Sequence, residues 1–188
     1  MKRAEIKEQM AHLECEVAES FMELVEQFDD AKLCNRKNFV GHITASGTIV
    51  HFESKEVLLL HHKFLDAWHV PGGHVDPEDE STVAAALREV EEETGIVASQ
   101  LTPLNVVDGV QYCVEINSHP IPRNEKKNED AHYHHDFRYV FGYNGDKNIY
   151  IDSSESLNYK WVSIDDEYFH RIVDVTQLKK ILSNYEKQ

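Results

Sequence analysis

Glu89, Glu92 and Glu93 stand at i, i+3 and i+4 within residues 81–94, a stretch with neither Gly nor Pro. If that stretch is helical, about 100° of rotation per residue gathers the three carboxylates into an arc of roughly 100° on one face. Neighbouring carboxylates repel, at about 0.2–0.5 kcal/mol for each exposed pair. Oxygen-only donors in this number suit a hard cation such as Mg2+, with Mn2+ as a substitute. The turn Pro71-Gly72-Gly73 comes just before them, and a glycine without a Cβ lets backbone approach closely. A cation held beside a diphosphate would neutralise charge, position a water and help it ionise. On spacing alone this phosphate chemistry is balanced against a solvated, Glu-rich helix face, because Glu is a good helix former.

A second group lies at His132, His134, Asp136 and Arg138. Strand alternation puts all four on one face, with Tyr133, Phe137 and Tyr139 on the other. Such a face could line a substrate cleft, with Arg138 reading a phosphate through its fork of donors and His134 or Asp136 nearby. The competing reading is an exposed polar face. Zinc on His132 and His134 lacks further ligands at a recognisable spacing. Among scattered residues, His74 is singled out because it adjoins Gly73. Trp68 could stack on a base or serve the core or rim equally well, and Glu155 could act as a base from a later loop.

These residues need elements to hold them. Val83, Ala86, Leu87 and Val90 form an apolar stripe that would anchor the acidic helix, and Gly95 follows as its expected stop. Residues 43–52, 56–61, 104–116, 133–143 and 158–162 read as strands. Residues 119–130 read as a Pro-, Asn- and Lys-rich loop, and 165–186 as one or two closing helices. Residues 4–28 read as a single amphipathic helix, with Ile6, Met10, Leu13, Val17, Phe21, Leu24, Val25 and Phe28 on one face. That helix would pack on the domain or on a partner chain, so a homodimer is left open. Strands, one helix, more strands and a closing helix indicate a mixed α/β domain.

Composition narrows the function classes. A chain of 188 residues with 41% apolar content supports one real core. The formal net charge of -15 argues against holding polymeric nucleic acid. Cys15, Cys34 and Cys113 make no disulfide framework, which suits a reducing, cytoplasmic setting. The start, Met1-Lys2-Arg3-Ala4-Glu5, is charged where a signal peptide would be apolar. The longest aliphatic run, at 57–60, is far short of a membrane span.

Residues 73–96 resemble the box that defines the Nudix hydrolases: a Gly, a spaced Glu, then Arg-Glu-hydrophobic-any-Glu-Glu-any-Gly-hydrophobic. Arg88, Glu89, Val90, Glu92, Glu93, Gly95 and Ile96 complete the second half. Glu80 precedes Arg88 by the family's usual interval. Six residues separate Gly73 from Glu80 where the family has five, so Asp79 stands at the usual position as a rival. The surplus residue falls in a loop that tolerates insertion.

The resemblance implies a mixed β-sheet sandwiched between helices in a Nudix domain over 37–188, and the helical reading of the start makes 1–30 an N-terminal helical extension. It implies a pyrophosphohydrolase that cuts a small nucleotide-type diphosphate, with metal held by Glu89, Glu92, Glu93 and the Gly73 carbonyl. Arg88 would act with Glu92 and Glu93 in catalysis, and Glu80 would orient the cluster from outside it. His74, His134, Asp136, Arg138 and Trp68 are the expected substrate contacts. Two alternatives use the same fold: an isomerase of prenyl diphosphates, which would want a Cys or Glu proton donor, and a non-catalytic nucleotide sensor, which would usually show a damaged box.

Overall fold

The computed structural model describes residues 3–125 and 128–187. Met1 and Lys2 of the expected extension, Lys126 and Lys127 of the expected loop, and the final Gln188 lie outside the described residues.

The chain begins with α1 (Arg3–Ala11), α2 (Glu19–Gln27) and the single turn α3 (Asp30–Leu33). Four strands follow: β1 (Gly41–His51), β2 (Glu56–His62), β3 (Ala67–His69) and β4 (Gly72–His74). The acidic helix is α4 (Thr82–Thr94). Beyond it come β5 (Leu101–Pro103), β6 (Val106–Val107), β7 (Val110–Gln111), β8 (Glu115–Ile121), β9 (His132–Tyr143), β10 (Ser156–Ser163) and the closing helix α5 (Val175–Tyr185).

Eight strands make one mixed sheet, with β10, β2, β1, β9 and β5 along its spine. β3 pairs with β2, β4 with β1, and β8 with β9. β1 and β9 run parallel and in full register, and the other pairings are antiparallel. Parallel pairing needs a crossover, and the chain between β1 and β9 supplies it with α4 on the way.

The sheet has apolar matter on both faces. Ile43, Ala45, Phe137 and Tyr139 meet Ala85, Ala86 and Val90 of α4 on one side. Val50, Val57, Leu59 and Val140 meet Leu178, Ile181 and Leu182 of α5 on the other. This is the helix–sheet–helix layering expected. Each end of α4 is specified locally. The Ser81 hydroxyl accepts from Ala84 N as N-cap, and Gly95 ends the helix in the left-handed region at φ 69°.

Several expectations need correction. Residues 4–28 are two helices with a break between Ala11 and Glu19. Nothing in the periodicity marks that break. It comes from packing: Ile6 and Phe21 both reach full burial in the α4-side core, while the Gln9 side chain bonds to Cys113 N at 2.7 Å. Tertiary burial outweighs the propensity for one continuous helix. The strand expected over 104–116 is instead the small β6–β7 hairpin followed by the start of β8. Asp108 and Gly109, at φ 51° and 80°, turn that hairpin, and Asp-Gly is the pair such a turn favours. Part of the expected loop, His119–Pro120–Ile121, is strand, with Pro120 paired to β9 alone. On α4, Leu87 is only half-buried and Ala85 joins the buried stripe in its place.

Candidate active site

α4 lies against β1 and β4, and β4 decides what it meets. Gly72 and Gly73 pair with Ser46 and Ala45 of β1. A Cβ at Gly73 would stand 2.6 Å from the Glu89 carboxylate, so only glycine lets this carboxylate approach the strand backbone. Gly72 N donates to Glu93 Oε2 at 2.8 Å. The spacing read from the sequence therefore becomes a cluster: Glu93 is buried, Glu89 nearly so, and Glu92 stays exposed at the rim. They line a cleft of ≈ 240 Å³ with Gly73, His74, Asp76, Arg88, Arg36, Asp152 and Glu155.

Burial raises the Glu93 carboxyl to about 8, against a hydrogen bond from Gly72 and with Glu89 and Glu155 adding repulsion. Burial likewise raises Glu89 to about 7, with Glu92 and Glu155 repelling and Arg88 opposing. Carboxylates in this condition need a proton or a counter-cation. Arg88 supplies part of the charge: Nη1 reaches Glu89 at 2.9 Å and Glu92 at 3.1 Å, and Nη2 reaches the His74 carbonyl at 2.8 Å. Hydrogen bonds to Asp79 and Glu89 keep its guanidinium charged. Donors that are all oxygen, on a helix facing an open cleft, fit a hard divalent ion.

The partner of Arg88 corrects the alignment of the box. Asp79, nearly buried, takes both Nε and Nη2 of Arg88, while Glu80 points into solvent. The orienting position expected of Glu80 is geometrically that of its rival. Asp79 also accepts from Asp76 N at 2.8 Å, so the loop closes on it and the surplus residue is accommodated at Glu80.

The polar strand face exists, but its members divide. His132, His134, Asp136 and Arg138 share the sheet face opposite α4 and sit beside His42, Thr44 and Ser46 of β1. Asp136 accepts from Ser46 at 2.7 Å and Thr44 at 3.3 Å. Arg138 bonds Asp136 at 3.2 Å, Glu115 at 3.1 Å and the Ile172 carbonyl at 2.6 Å. It borders a different cleft, of ≈ 380 Å³, with Asn117 and residues 170–176. Its Nε and Nη1 are held by protein partners and it lies on the face away from α4, so the structure does not bring Arg138 to the carboxylates. Trp68 is also elsewhere, stacked on His61 with Lys160 over its ring at 4.2 Å. His74 borders the carboxylate cleft, where its carbonyl accepts from Arg88 Nη2, but its ring stacks on His42 on the opposite sheet face.

Arg36 and Asp152 were missed in the sequence. Arg36 comes from the polar connector before β1 and had no local signal. Asp152 sits in the same loop as Glu155, and its N–H bonds to the Glu93 carbonyl at 3.1 Å. That loop was read for Glu155 alone.

A mixed sheet that presents a glycine-approached, glutamate-bearing helix to an open acidic cleft defines a class of phosphate-handling domain. The NUDIX domain profile matches residues 41–185, and the chain belongs to the Nudix hydrolase family. A probable DHNTP pyrophosphohydrolase of Lactococcus lactis subsp. cremoris is 29% identical over 122 residues, covering 65% of this chain and 68% of that protein. A putative 8-oxo-dGTP diphosphatase of Bacillus subtilis is 45% identical over 58 residues, covering 31% of this chain and 38% of that protein. A NUDIX-family hydrolase from Clostridium perfringens superposes with a TM-score of 0.52 at 25% identity, over 77% of this chain and 97% of that one. The Escherichia coli dihydroneopterin triphosphate pyrophosphohydrolase superposes with a TM-score of 0.55 at 22% identity, over 76% and 95% of the two chains, a likeness of fold.

Proposed function

We propose that this protein hydrolyses a diphosphate linkage in a small nucleotide-type substrate with the help of a divalent metal, Mg2+ or Mn2+. The observation that carries the proposal is the convergence of Glu89 and Glu93 on the Gly72-Gly73 backbone, at the distances given above, with Glu92 beside them. These three carboxylates and the Gly73 carbonyl are the ligands assigned to the ion. When bound, the ion supplies neutralisation of the diphosphate and a lower pKa for the attacking water.

The chain's own groups do the rest. Arg88 restrains Glu89 and Glu92 and ties them to the His74 carbonyl, so the ligands do not have to be ordered anew for each substrate. Arg36, exposed at the cleft edge and 3.6 Å from Glu129, is the cation placed to meet a substrate phosphate. Glu155 lines the same cleft from the loop before β10 and is the carboxylate assigned to take the proton from water. His74 is retained on the substrate side through its backbone alone, since its ring lies beside His42 on the far sheet face. His134 and Asp136 lie beyond it on the far sheet face.

The isomerase alternative loses its cysteine donor. Cys113 is buried in the core, and burial pushes its thiol well up. The sensor alternative gains no observation, because Arg88, Glu89, Glu92 and Glu93 are all in place.

The test is product release from nucleoside triphosphates, sugar nucleotides, dinucleoside polyphosphates and ADP-ribose, with Mg2+ and with Mn2+. DHNTP and 8-oxo-dGTP, named for the relatives, belong in the same set, as do prenyl diphosphates. Metal-dependent release of phosphate or pyrophosphate supports the proposal. Isomerisation of a prenyl diphosphate, or tight binding of nucleotides with no turnover, would replace it.

A further inference from the structure

The alternation of β4 points its two functional residues in opposite directions. Gly73 faces α4, and His74 faces the other side of the sheet, where its ring stacks on His42 with centroids 5.1 Å apart. His42 of β1 is the register partner of His134 of β9, and Thr44, two residues on, pairs with His74. Three neighbouring strands thus deliver three imidazoles to one spot. One ring nitrogen from each of His42, His74 and His134 lies within 4.8 Å of the other two.

We propose that His42, His74 and His134 form a second metal site, specific for a zinc-class divalent cation and separate from the glutamates of α4. Imidazole nitrogen suits zinc and its neighbours, whereas Mg2+ prefers oxygen. Zn–N bonds of about 2.0–2.1 Å in a tetrahedron put ligand nitrogens roughly 3.3 Å apart. The observed separations need to shorten by about an ångström and a half at most, within reach of ring rotation.

The state of His42 points independently to a ligand. Its Nδ1 lies 3.4 Å from the Asn38 carbonyl. A carbonyl only accepts, so Nδ1 carries the proton and Nε2 presents a lone pair. That Nε2 is buried and meets no hydrogen-bond donor among the described residues, in a side chain with no exposed surface. Its ring is bordered by those of His74, His132 and His134. One nitrogen tied to a carbonyl and the other free is the arrangement that metal-binding histidines use to fix their tautomer. Outside the three, His132 holds His134 in place, with Nε2 of one 3.3 Å from Nε2 of the other. Sequence spacing offered only His132 and His134 and no completing ligand. The completing residues are 58 or more positions away and meet only in the folded sheet.

Such an ion would clip β4 to β1 and β9. The backbone carbonyl of His74 holds Arg88, so the clip would fix the strand from which the glutamates are approached.

The experiment uses tag-free, metal-stripped protein titrated with Zn2+ by calorimetry in excess Mg2+, and with Co2+ as a visible-absorbing probe. One equivalent of each should bind, and the Glu92→Gln/Glu93→Gln double variant should bind it equally well. His74→Gln and His134→Gln, at partly exposed positions, should each weaken Zn2+ binding by at least about 100-fold, since losing even an outer partner of a ligand costs about 10–100-fold. Circular dichroism verifies that the variants fold, and His42→Gln is read only if it does. Zn2+ binding that disappears in the glutamate variant, that survives in both histidine variants, or that is absent from the parent protein overturns the second site. None of these results bears on metal-dependent hydrolysis at the glutamates, which stands or falls on the substrate test.

Discussion

Asp79 holds Arg88 in a two-pronged ion pair, with Oδ1 3.1 Å from Nε and Oδ2 2.9 Å from Nη2. Asp79 is 9% exposed, so this pair is not a solvated surface contact. Removing one side of a poorly hydrated charge pair leaves the other uncompensated, at a cost of about 1–3 kcal/mol. Asp79→Asn should lower the melting temperature and reduce kcat by at least about tenfold, because Arg88 loses its anchor while Glu89 and Glu92 still depend on it. Glu80→Gln should stay within about 0.5 kcal/mol of the parent. Parallel melts and kinetics on the two variants decide the matter, and the reverse ranking would return the orienting role to Glu80.

Glu92→Gln and Glu93→Gln are each expected to lower kcat by orders of magnitude, and chelator should abolish activity until Mg2+ or Mn2+ is restored. Glu93 adds a stability signature. Its carboxyl is near 8 in the metal-free fold and about 4.3 in an unfolded chain. Between those values the folded state holds the extra proton, so this group's contribution to stability falls as pH rises. In metal-free protein Glu93→Gln should remove that slope and melt higher than the parent at pH 8. A glutamine variant with parental turnover would leave α4 an ordinary solvated helix.

Gly73→Ala and Gly72→Ala should fail differently. The three atoms nearest an added Cβ at 73 all belong to the end of the Glu89 side chain, the part most able to swing away. Its expected cost is therefore catalytic and metal-binding, with a small change in melting. At 72 the added atom meets the backbone of β1 at 2.7 Å, so loss of stability is expected. Calorimetric metal affinity alongside thermal melts separates the two.

Arg138 moves from a kinetic expectation to a structural one. Its partners Asp136, Glu115 and the Ile172 carbonyl all belong to the protein, and its side chain is 13% exposed. Arg138→Ala should destabilise by about 3–5 kcal/mol, and Arg138→Lys by less, since one ammonium cannot match the fork. Tyr139→Ala, on the opposite face, should cost a similar amount by opening a cavity and by losing the hydrogen bond between the Tyr139 and Thr82 hydroxyls, 2.6 Å apart. A raised KM for Arg138→Lys at unchanged stability would restore substrate contact.

His69 should make the fold sensitive to acid. Its Nδ1 bonds the Val70 carbonyl at 2.7 Å, its Nε2 is buried, and burial lowers it to about 4. The unfolded chain takes up this proton near 6.5. Between 6.5 and 4 the unfolded state binds more protons, so stability is present above that window and lost as pH falls through it, at no more than about 1.4 kcal/mol per pH unit from this group. His69→Gln should flatten part of the decline in melting temperature between pH 7 and pH 4.5. An unchanged decline would show that other histidines carry it.

The parts of the molecule legible in the sequence were those specified within one or two turns of chain. α4 announced both its ends through Ser81 and Gly95, and its glutamates through their spacing. The long strands β1, β2 and β9 were visible as alternation or aliphatic runs. The Asp108-Gly109 turn is equally legible, though it lies inside a longer apolar stretch. What stayed hidden depends on distant partners. The break before α2 follows from where Gln9 and Phe21 land, the fate of Arg138 from Glu115 and Ile172, and the histidine cluster from the register of three strands. Choosing Asp79 over Glu80 required knowing how the loop folds back, which counting along the chain does not reveal.

Glu5 of α1 accepts from both the backbone N–H and the hydroxyl of Thr82, at 2.8 and 2.7 Å, at the first residue of α4. Gln9, one turn further on, holds Cys113 N. The first helix thus behaves as a tethered ligand for the start of the glutamate-bearing helix, present at the high effective concentration a short linker confers. Cutting the tether between α1 and α2 would turn an intramolecular contact into a bimolecular one, and a separate peptide carrying Glu5, Ile6 and Gln9 should then restore what the cut removed in proportion to its concentration. In that sense the amino-terminal segment is one of the supports on which the start of the glutamate-bearing helix rests.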